Sequence, residues 1–340
     1  MNMLLQIITI FSVLVSTAHS AESPASSLKE TVIASPGEKA SSRSADALNL
    51  DAVCTRCHDE TESKPILSLY QTPHGNRGDF RSPSCRTCHG DSEAHVKGGN
   101  SGGGTRPAPD FVFNERSKSY NASSADERSD QCLSCHESGL RTHWTGSQHQ
   151  AQGVACNSCH SVHVSKDPVL ERLTQPDVCF TCHKTQRSET HLFSTHPILA
   201  GKTACSECHN SHGSMGPKLL LKNTVNETCY TCHAEYRGPF LWEHAPVFDD
   251  CLNCHTSHGS NNSPLLKQRT PWLCQDCHTA DHAAMVNSGA NLIGGDVTTA
   301  DGLVSEENLA PRAQLNGRNC LSCHSMIHGS NHPAGSKFNR

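Results

Sequence analysis

CNSCHSVH, residues 156–163, places two cysteines and two histidines in eight positions. Its first five residues set a local geometry, because cysteines at i and i+3 and a histidine at i+4 fall on one face of a single helical turn. The same C-x-x-C-H pattern returns as CTRCH at 54, CRTCH at 85, CLSCH at 132, CFTCH at 179, CSECH at 205, CYTCH at 229, CLNCH at 251, CQDCH at 274 and CLSCH at 320. The ten copies use all 20 cysteines of the 340-residue chain. The chain is therefore a repeat, and its fold is expected to string similar units together.

Little else is available to build a core. Hydrophobic residues make up 35% of the chain and aromatics 5%, so side-chain burial gives only a thin drive for collapse. A net charge of -5 offers no electrostatic case for binding nucleic acid. At the N-terminus the apolar run LLQIITIFSVLV is followed by Ala18-His19-Ser20 ahead of Ala21, which reads as a secretory signal over residues 1–20. Its short n-region carries no Lys or Arg, and an uncleaved membrane anchor is the alternative, although the run is short for a span. Export would place the cysteines outside the reducing cytosol, as disulfides, metal ligands or thioethers. Residues 21–50, rich in Ser and Ala, read as a flexible linker, and residues 51–340 as the functional domain.

The motifs fall into five two-motif units, starting at Cys54, Cys132, Cys179, Cys229 and Cys274. Each unit holds at least one histidine between its motifs and at least one after the second. Two insertions interrupt the pattern: residues 96–131, whose run GGNSGGG lacks the ending of a phosphate loop and reads as a connector, and residues 283–319. Regular structure is expected to be limited to short α-helical turns around the motifs, mostly coil between them, with little or no β-sheet.

The motif suits one task in particular. Its two thiols can form thioethers with the two vinyl groups along one edge of a haem, and the following imidazole then reaches the iron. The expected attachment residues are Cys54, Cys57, Cys85, Cys88, Cys132, Cys135, Cys156, Cys159, Cys179, Cys182, Cys205, Cys208, Cys229, Cys232, Cys251, Cys254, Cys274, Cys277, Cys320 and Cys323. The proximal iron ligands are then His58, His89, His136, His160, His183, His209, His233, His255, His278 and His324. A redox disulfide normally occurs once, on a βαβ scaffold that this chain lacks. Zinc sites and a disulfide framework give no reason for a histidine after every second cysteine.

Each iron has an opposite face to fill. Setting aside His19 and the motif histidines leaves thirteen of 24. His74, His149, His196, His244 and His282 lie between the motifs of a unit, and His95, His163, His212, His258 and His328 follow the second motif. These ten are the expected distal ligands. Four of the late ones, in SVHV, NSHGS, TSHGS and MIHGS, stand only three or four positions beyond their motif histidine, so each is expected to reach a neighbouring haem. His143, His191 and His332 read as surface or propionate-bonding residues. Only Met215, Met285 and Met326 remain as sulfur competitors, and imidazole pairs place the potentials toward the low end for haem.

Ten covalently attached haems would replace the missing core and lie close enough for electrons to pass between them. Two functions of different class follow: an electron conduit with every iron six-coordinate, or a multihaem reductase with one open-coordination haem. No motif is altered, as the open haem of a reductase often is, and the distal histidines suffice for all ten irons. The conduit is the preferred reading, with no catalytic residue, and haem storage gives no reason for saturation by histidine.

The segments VACNSCHSVHVSKDPVL (154–170), TCYTCHAEYRGPFLWEHAPV (228–247), CLNCHTSHGS (251–260) and HGSNHP (328–333) exceed what ten motifs require. In them the chain resembles the MtrA/DmsE/PioA family of periplasmic decahaem c-type cytochromes, from about residue 51 to the end. The resemblance implies an elongated haem wire in two pentahaem halves, approximately 51–190 and 191–340, with bis-histidine ligation on the residues named above. It further implies a periplasmic protein associated with the outer membrane and sheathed by a β-barrel porin. Its partners would be a periplasmic or inner-membrane cytochrome donor and an extracellular multihaem cytochrome or terminal reductase, with either direction of flow. The chain departs from the family pattern in its uncharged n-region and in the long segment between His282 and Cys320.

Overall fold

The computed structural model describes residues 48–59, 66–76, 79, 81–98, 106–278, 297–298, 304–305 and 318–339. The expected signal sequence, most of the linker, His282 and most of the second insertion lie outside the described residues.

Each motif forms the single turn that its spacing dictates. The histidine N–H donates to the carbonyl of the first cysteine, as in His58 to Cys54 at 3.1 Å, His160 to Cys156 at 2.9 Å and His278 to Cys274 at 2.8 Å. Odd and even motifs nevertheless differ in what surrounds the turn. The first motif of a unit ends a helix: one over 48–55 carries Cys54, Ala125–Leu133 carries Cys132, Gln175–Cys179 and Val225–Cys229 stop on a cysteine, and Trp272–Gln275 carries Cys274. The second motif begins a helix, at Cys85–His89, Cys156–Cys159, Cys205–Glu207, Cys251–Asn253 and Cys320–Ser322. Caps fix these starts and stops. Ser124 and Glu127 make a reciprocal capping box, and Thr224 accepts from the Glu227 N–H, satisfying donors that the first turn leaves free.

Within a unit the two motif helices are held by buried polar side chains where a globular domain would use hydrocarbon. Asp51, 1% exposed, accepts from the Cys85 N–H at 2.7 Å and from the Tyr70 hydroxyl at 3.0 Å. Asn226 accepts from the Cys251 N–H at 2.7 Å while its amide donates to the Val247 and Phe248 carbonyls. Gln175 does the same for the Ser206 N–H and the Val169 carbonyl. Each clamp aims a carboxylate or amide oxygen at the start of the second helix, which is why it tolerates burial.

Apolar burial is sparse among the described residues: Leu69, Val112, Trp144, Ala155, Phe180, Ile198, Ala204 and Leu266 are buried, whereas Phe193, Met215 and Leu241 are at least 75% exposed. The fold has the short helices and long coil that the sequence leads one to expect. Among the described residues its β-structure comprises the two-residue pair Val297–Thr298 and Val304–Ser305, plus isolated bridges such as Ser194 with Ser260 and Trp242 with Ser330. Those two bridges join successive units.

The glycine after each of three late histidines makes this joining possible. A Cβ at Gly213 would stand 2.2 Å from the His143 carbonyl oxygen, and one at Gly259 would stand 1.9 Å from that of Glu189. Only a residue without a side chain lets the histidine loop of one unit press onto the backbone of the preceding one.

Candidate haem-binding sites

The histidines meet in pairs, eight of the nine described pairs joining different units. His58 stands opposite His95, with ring centroids 6.1 Å apart, His74 opposite His136 at 5.8 Å, and His89 opposite His163 at 6.2 Å. His149 stands opposite His183 at 6.1 Å, His160 opposite His212 at 6.0 Å, and His196 opposite His233 at 6.4 Å. The remaining described pairs are His209 with His258 at 6.2 Å, His244 with His278 at 6.2 Å, and His255 with His328 at 6.1 Å. Every pair joins one motif histidine to one histidine outside the motifs.

This spacing has a chemical meaning. A first-row metal–imidazole bond is about 2.0–2.1 Å, and a five-membered ring with bonds of about 1.33 Å puts its nitrogen about 1.1 Å from the centroid. One metal ion shared by two opposed imidazoles therefore sets the centroids about 6.2 Å apart. Among the described residues no group of three or more His, Cys, Asp or Glu is gathered to hold a metal ion. Two imidazoles and no further protein ligand suit an ion whose other positions are filled by a planar macrocycle, and do not suit zinc, which takes three or four protein ligands.

The pairing obeys a rule across units. An early histidine reaches forward to the first motif of the next unit, as His74, His149, His196 and His244 do. A late histidine reaches back to the second motif of the unit before, as His163, His212, His258 and His328 do. His95, with no unit behind it, turns to the first motif of its own. Neither His143 nor His191 stands in such a pair, and His332 accepts from the Ala334 N–H.

Hydrogen bonds fix how these rings present themselves. The Nδ1–H of His95 donates to the Pro107 carbonyl at 2.7 Å, that of His149 to Ser211 at 2.8 Å, that of His196 to Ser257 at 2.8 Å and that of His324 to Lys337 at 2.6 Å. His209 and His255 donate to Lys218 and Pro264, both at 3.0 Å. A carbonyl can only accept, so Nδ1 carries the proton, and in the neutral tautomer that this contact favours Nε2 keeps the lone pair a metal needs. The geometry strains the chain in a repeated place. Leu219, Leu265 and Phe338, each directly after one of the last three acceptors, have φ of 62°, 55° and 53°, which bulky residues rarely adopt. Burial pushes His74, His89, His209, His212, His244, His255 and His328 below the ordinary imidazole range, favouring the neutral ligating form.

The cysteines give the order of the sites. The first cysteines of the two motifs in a unit interact directly: Cys54 with Cys85, Cys132 with Cys156, Cys179 with Cys205, Cys229 with Cys251, and Cys274 with Cys320. In the middle three, the hydrogen bond between thiols holds the first above and the second below its ordinary value. The second cysteines lie close enough across unit boundaries to act on one another electrostatically, Cys88 with Cys135, Cys159 with Cys182, Cys208 with Cys232, and Cys254 with Cys277. Successive motifs are thus spatial neighbours, in chain order, from the first to the tenth. The indole N–H of Trp144 and the hydroxyl of Tyr230 are buried without a partner, which fits a site completed by a group bearing acceptor oxygens.

Sequence reasoning missed the support around the first two sites. Within the first insertion, residues 106–124 form a strap in which the Pro107 and Phe111 carbonyls accept from His95 and His89, and Phe113 packs edge-on to His89 at 5.1 Å. Ser92 and Asp110 lock it by reciprocal hydrogen bonds of 2.8 and 3.1 Å. No local spacing marks these acceptors, because most are backbone carbonyls.

One-turn attachment motifs in series, with paired neutral imidazoles between units, define a c-type multihaem cytochrome, a protein of electron transfer that binds haem c through its CxxCH motifs. The "Doubled CXXCH motif" family matches residues 196–238 and 244–283, and the "Cytochrome c-type protein NrfB-like" family matches residues 85–175. "Multiheme cytochrome MtrA" of Shewanella baltica (strain OS185) is 42% identical over 292 residues, covering 84% of this chain and 80% of the relative. "Cytochrome c-type protein NrfB" of Escherichia coli O6:H1 is 29% identical over 157 residues, covering 42% and 71%. The NrfB protein of Haemophilus influenzae is 26% identical over 110 residues, covering 31% and 44%. The chain belongs to the MtrA family of multihaem cytochromes. Both doubled-motif windows open on an early histidine, His196 or His244, and so pair the second motif of one unit with the first of the next.

Proposed function

We propose that the exported chain binds ten haems c, one at each CxxCH motif, and conducts electrons along them between periplasmic donors and an extracellular redox partner. The observation that carries this reading is the set of nine opposed imidazole pairs, each joining a motif histidine to a distal one. The tenth site is assigned by elimination to His324 and to His282, which lies outside the described residues. The bound haems supply reversible one-electron iron chemistry. The chain supplies the two thiols that fix each position, the imidazoles that saturate each iron, and the backbone acceptors that hold those rings.

The two halves, 51–190 and 191–340, are interlocked units in this reading. Among the nine described pairs, His160 with His212 alone spans their boundary. An outer-membrane β-barrel porin is the proposed sheath and the outer-membrane periplasmic face the proposed location, in keeping with the family to which the chain belongs.

Mass spectrometry of the mature protein tests the cofactor number, with ten haem masses expected and a haem-free or zinc-loaded chain overturning it. Purification from outer membranes tests the partner, with a barrel protein expected to co-purify. A stoichiometric carbon monoxide complex of the native reduced protein would instead favour a reductase with one open haem.

A further inference from the structure

Eight of the ligand imidazoles described above rest Nδ1 on a neutral backbone carbonyl. Two rest it on a carboxylate: His160 donates to Asp167 Oδ2 at 2.6 Å, and His258 donates to Glu189 Oε2 at 3.0 Å. Asp167 is held in place, since its other oxygen accepts from the Ser161 N–H at 3.1 Å and the Val169 N–H at 3.4 Å. Its side chain is 13% exposed, against 37% for Glu189. A third acid, Glu235, stands 3.6 Å from His233 with both side chains at least half exposed, too far for a hydrogen bond and open to screening by solvent.

The two sites so marked are not scattered. His160 belongs to the fourth motif and faces His212, and His258 faces His209 of the sixth, so they flank the fifth motif at the middle of the series. A full negative charge on Nδ1–H makes the opposite nitrogen a stronger donor and favours the more positive oxidised iron. Arg141 acts on His212 through its charge, and its guanidinium bonds to the His136 carbonyl. The Asp167 carboxylate, by contrast, bonds directly to a ligand ring.

We propose that Asp167 and Glu189 are positioning residues that make the fourth and sixth haems the hardest of the series to reduce, giving the wire a low-potential stretch at its centre. Asp167, closer and more buried, has the larger effect. Electrons then equilibrate within each end before crossing the middle, whichever way they flow. This inference rests on the ten-haem reading, and its test separates the two.

The experiment uses the full-length holoprotein with Glu189→Gln, Asp167→Asn and Glu235→Gln. Gln at 189 can still accept from His258 while removing the charge. Mass and electron paramagnetic resonance first establish ten low-spin haems in each protein; failure there sinks the haem reading and this inference with it, whereas failure at the midpoints sinks this inference alone. In a potentiometric titration of the native protein the two haems reduced last are expected to be the two shifted by the variants. Each of the first two variants should ease reduction of one haem at least tenfold, about 59 mV for one electron, with Glu235→Gln unchanged. Unmoved midpoints in Glu189→Gln, or a shift confined to haems reduced early, would overturn the proposal even if Asp167→Asn fails to assemble.

Discussion

The imidazole of His212 lies 6.0 Å from that of His160 with the two planes only 8° apart, although the residues belong to different units and to different halves of the chain. A ligand donated from so far away cannot be replaced locally. His212→Ala should leave one haem in ten high-spin, able to bind one equivalent of carbon monoxide when reduced. Visible and paramagnetic resonance spectra check this, and a variant retaining ten low-spin haems would show that the pair does not share an iron.

Ring orientation differs between pairs in a way that spectroscopy reads. Five pairs are within 8–23° of parallel, and four are inclined by 50–82°. Because the mutual angle of axial ligand planes sets the splitting of the iron d orbitals, the oxidised protein should give two classes of low-spin signal. Their ratio should be near five to four, the tenth site aside. A single uniform class would contradict the described ring planes.

Gly213 tests the contact between units. Its φ of 112° and the 2.2 Å approach to the His143 carbonyl leave no space for a methyl group. Gly213→Ala should cost at least about 1–3 kcal/mol and loosen His212. Gly139→Ala is the matched control: φ is 69° but nothing lies within 4 Å of the new Cβ, so about 1 kcal/mol is expected. Denaturant midpoints of the two holoproteins compare them, and equal losses would remove the steric explanation.

Acid should weaken the fold. For the seven histidines whose pKa is depressed by burial, starting from 6.5, the unfolded chain binds more protons than the folded one. Stability is therefore complete above about pH 6.5 and declines as pH falls through the lower folded values. Metal ligation acts in the same direction, since it also needs the neutral ring. Urea midpoints between pH 7.5 and 5 should fall steadily, and a midpoint that rises with acid would reverse the sign.

The motif turns were readable from residues 54 to 324 because they are local. Cysteine, cysteine and histidine at i, i+3 and i+4 need one turn of backbone, and the turn forms wherever the letters occur. The two-motif unit was legible for the same reason, and it reappears as helices that end on the first motif and begin on the second. The clamps Asp51, Gln175 and Asn226 were not legible, since a polar residue ahead of a motif looks like any solvated one until its partner arrives from 25 to 34 residues away.

The sequence alone thus determined where each one-turn CxxCH motif stands, with its two thiols and its following imidazole, since that geometry acts over a few bonds. Tertiary structure decided which histidine faces which, and which rings lean on a carboxylate such as Asp167. Those partners are fixed by how one unit docks on the next, through a glycine pressed against a neighbouring carbonyl. Contacts between units depend on the packed backbone and have no period in the chain.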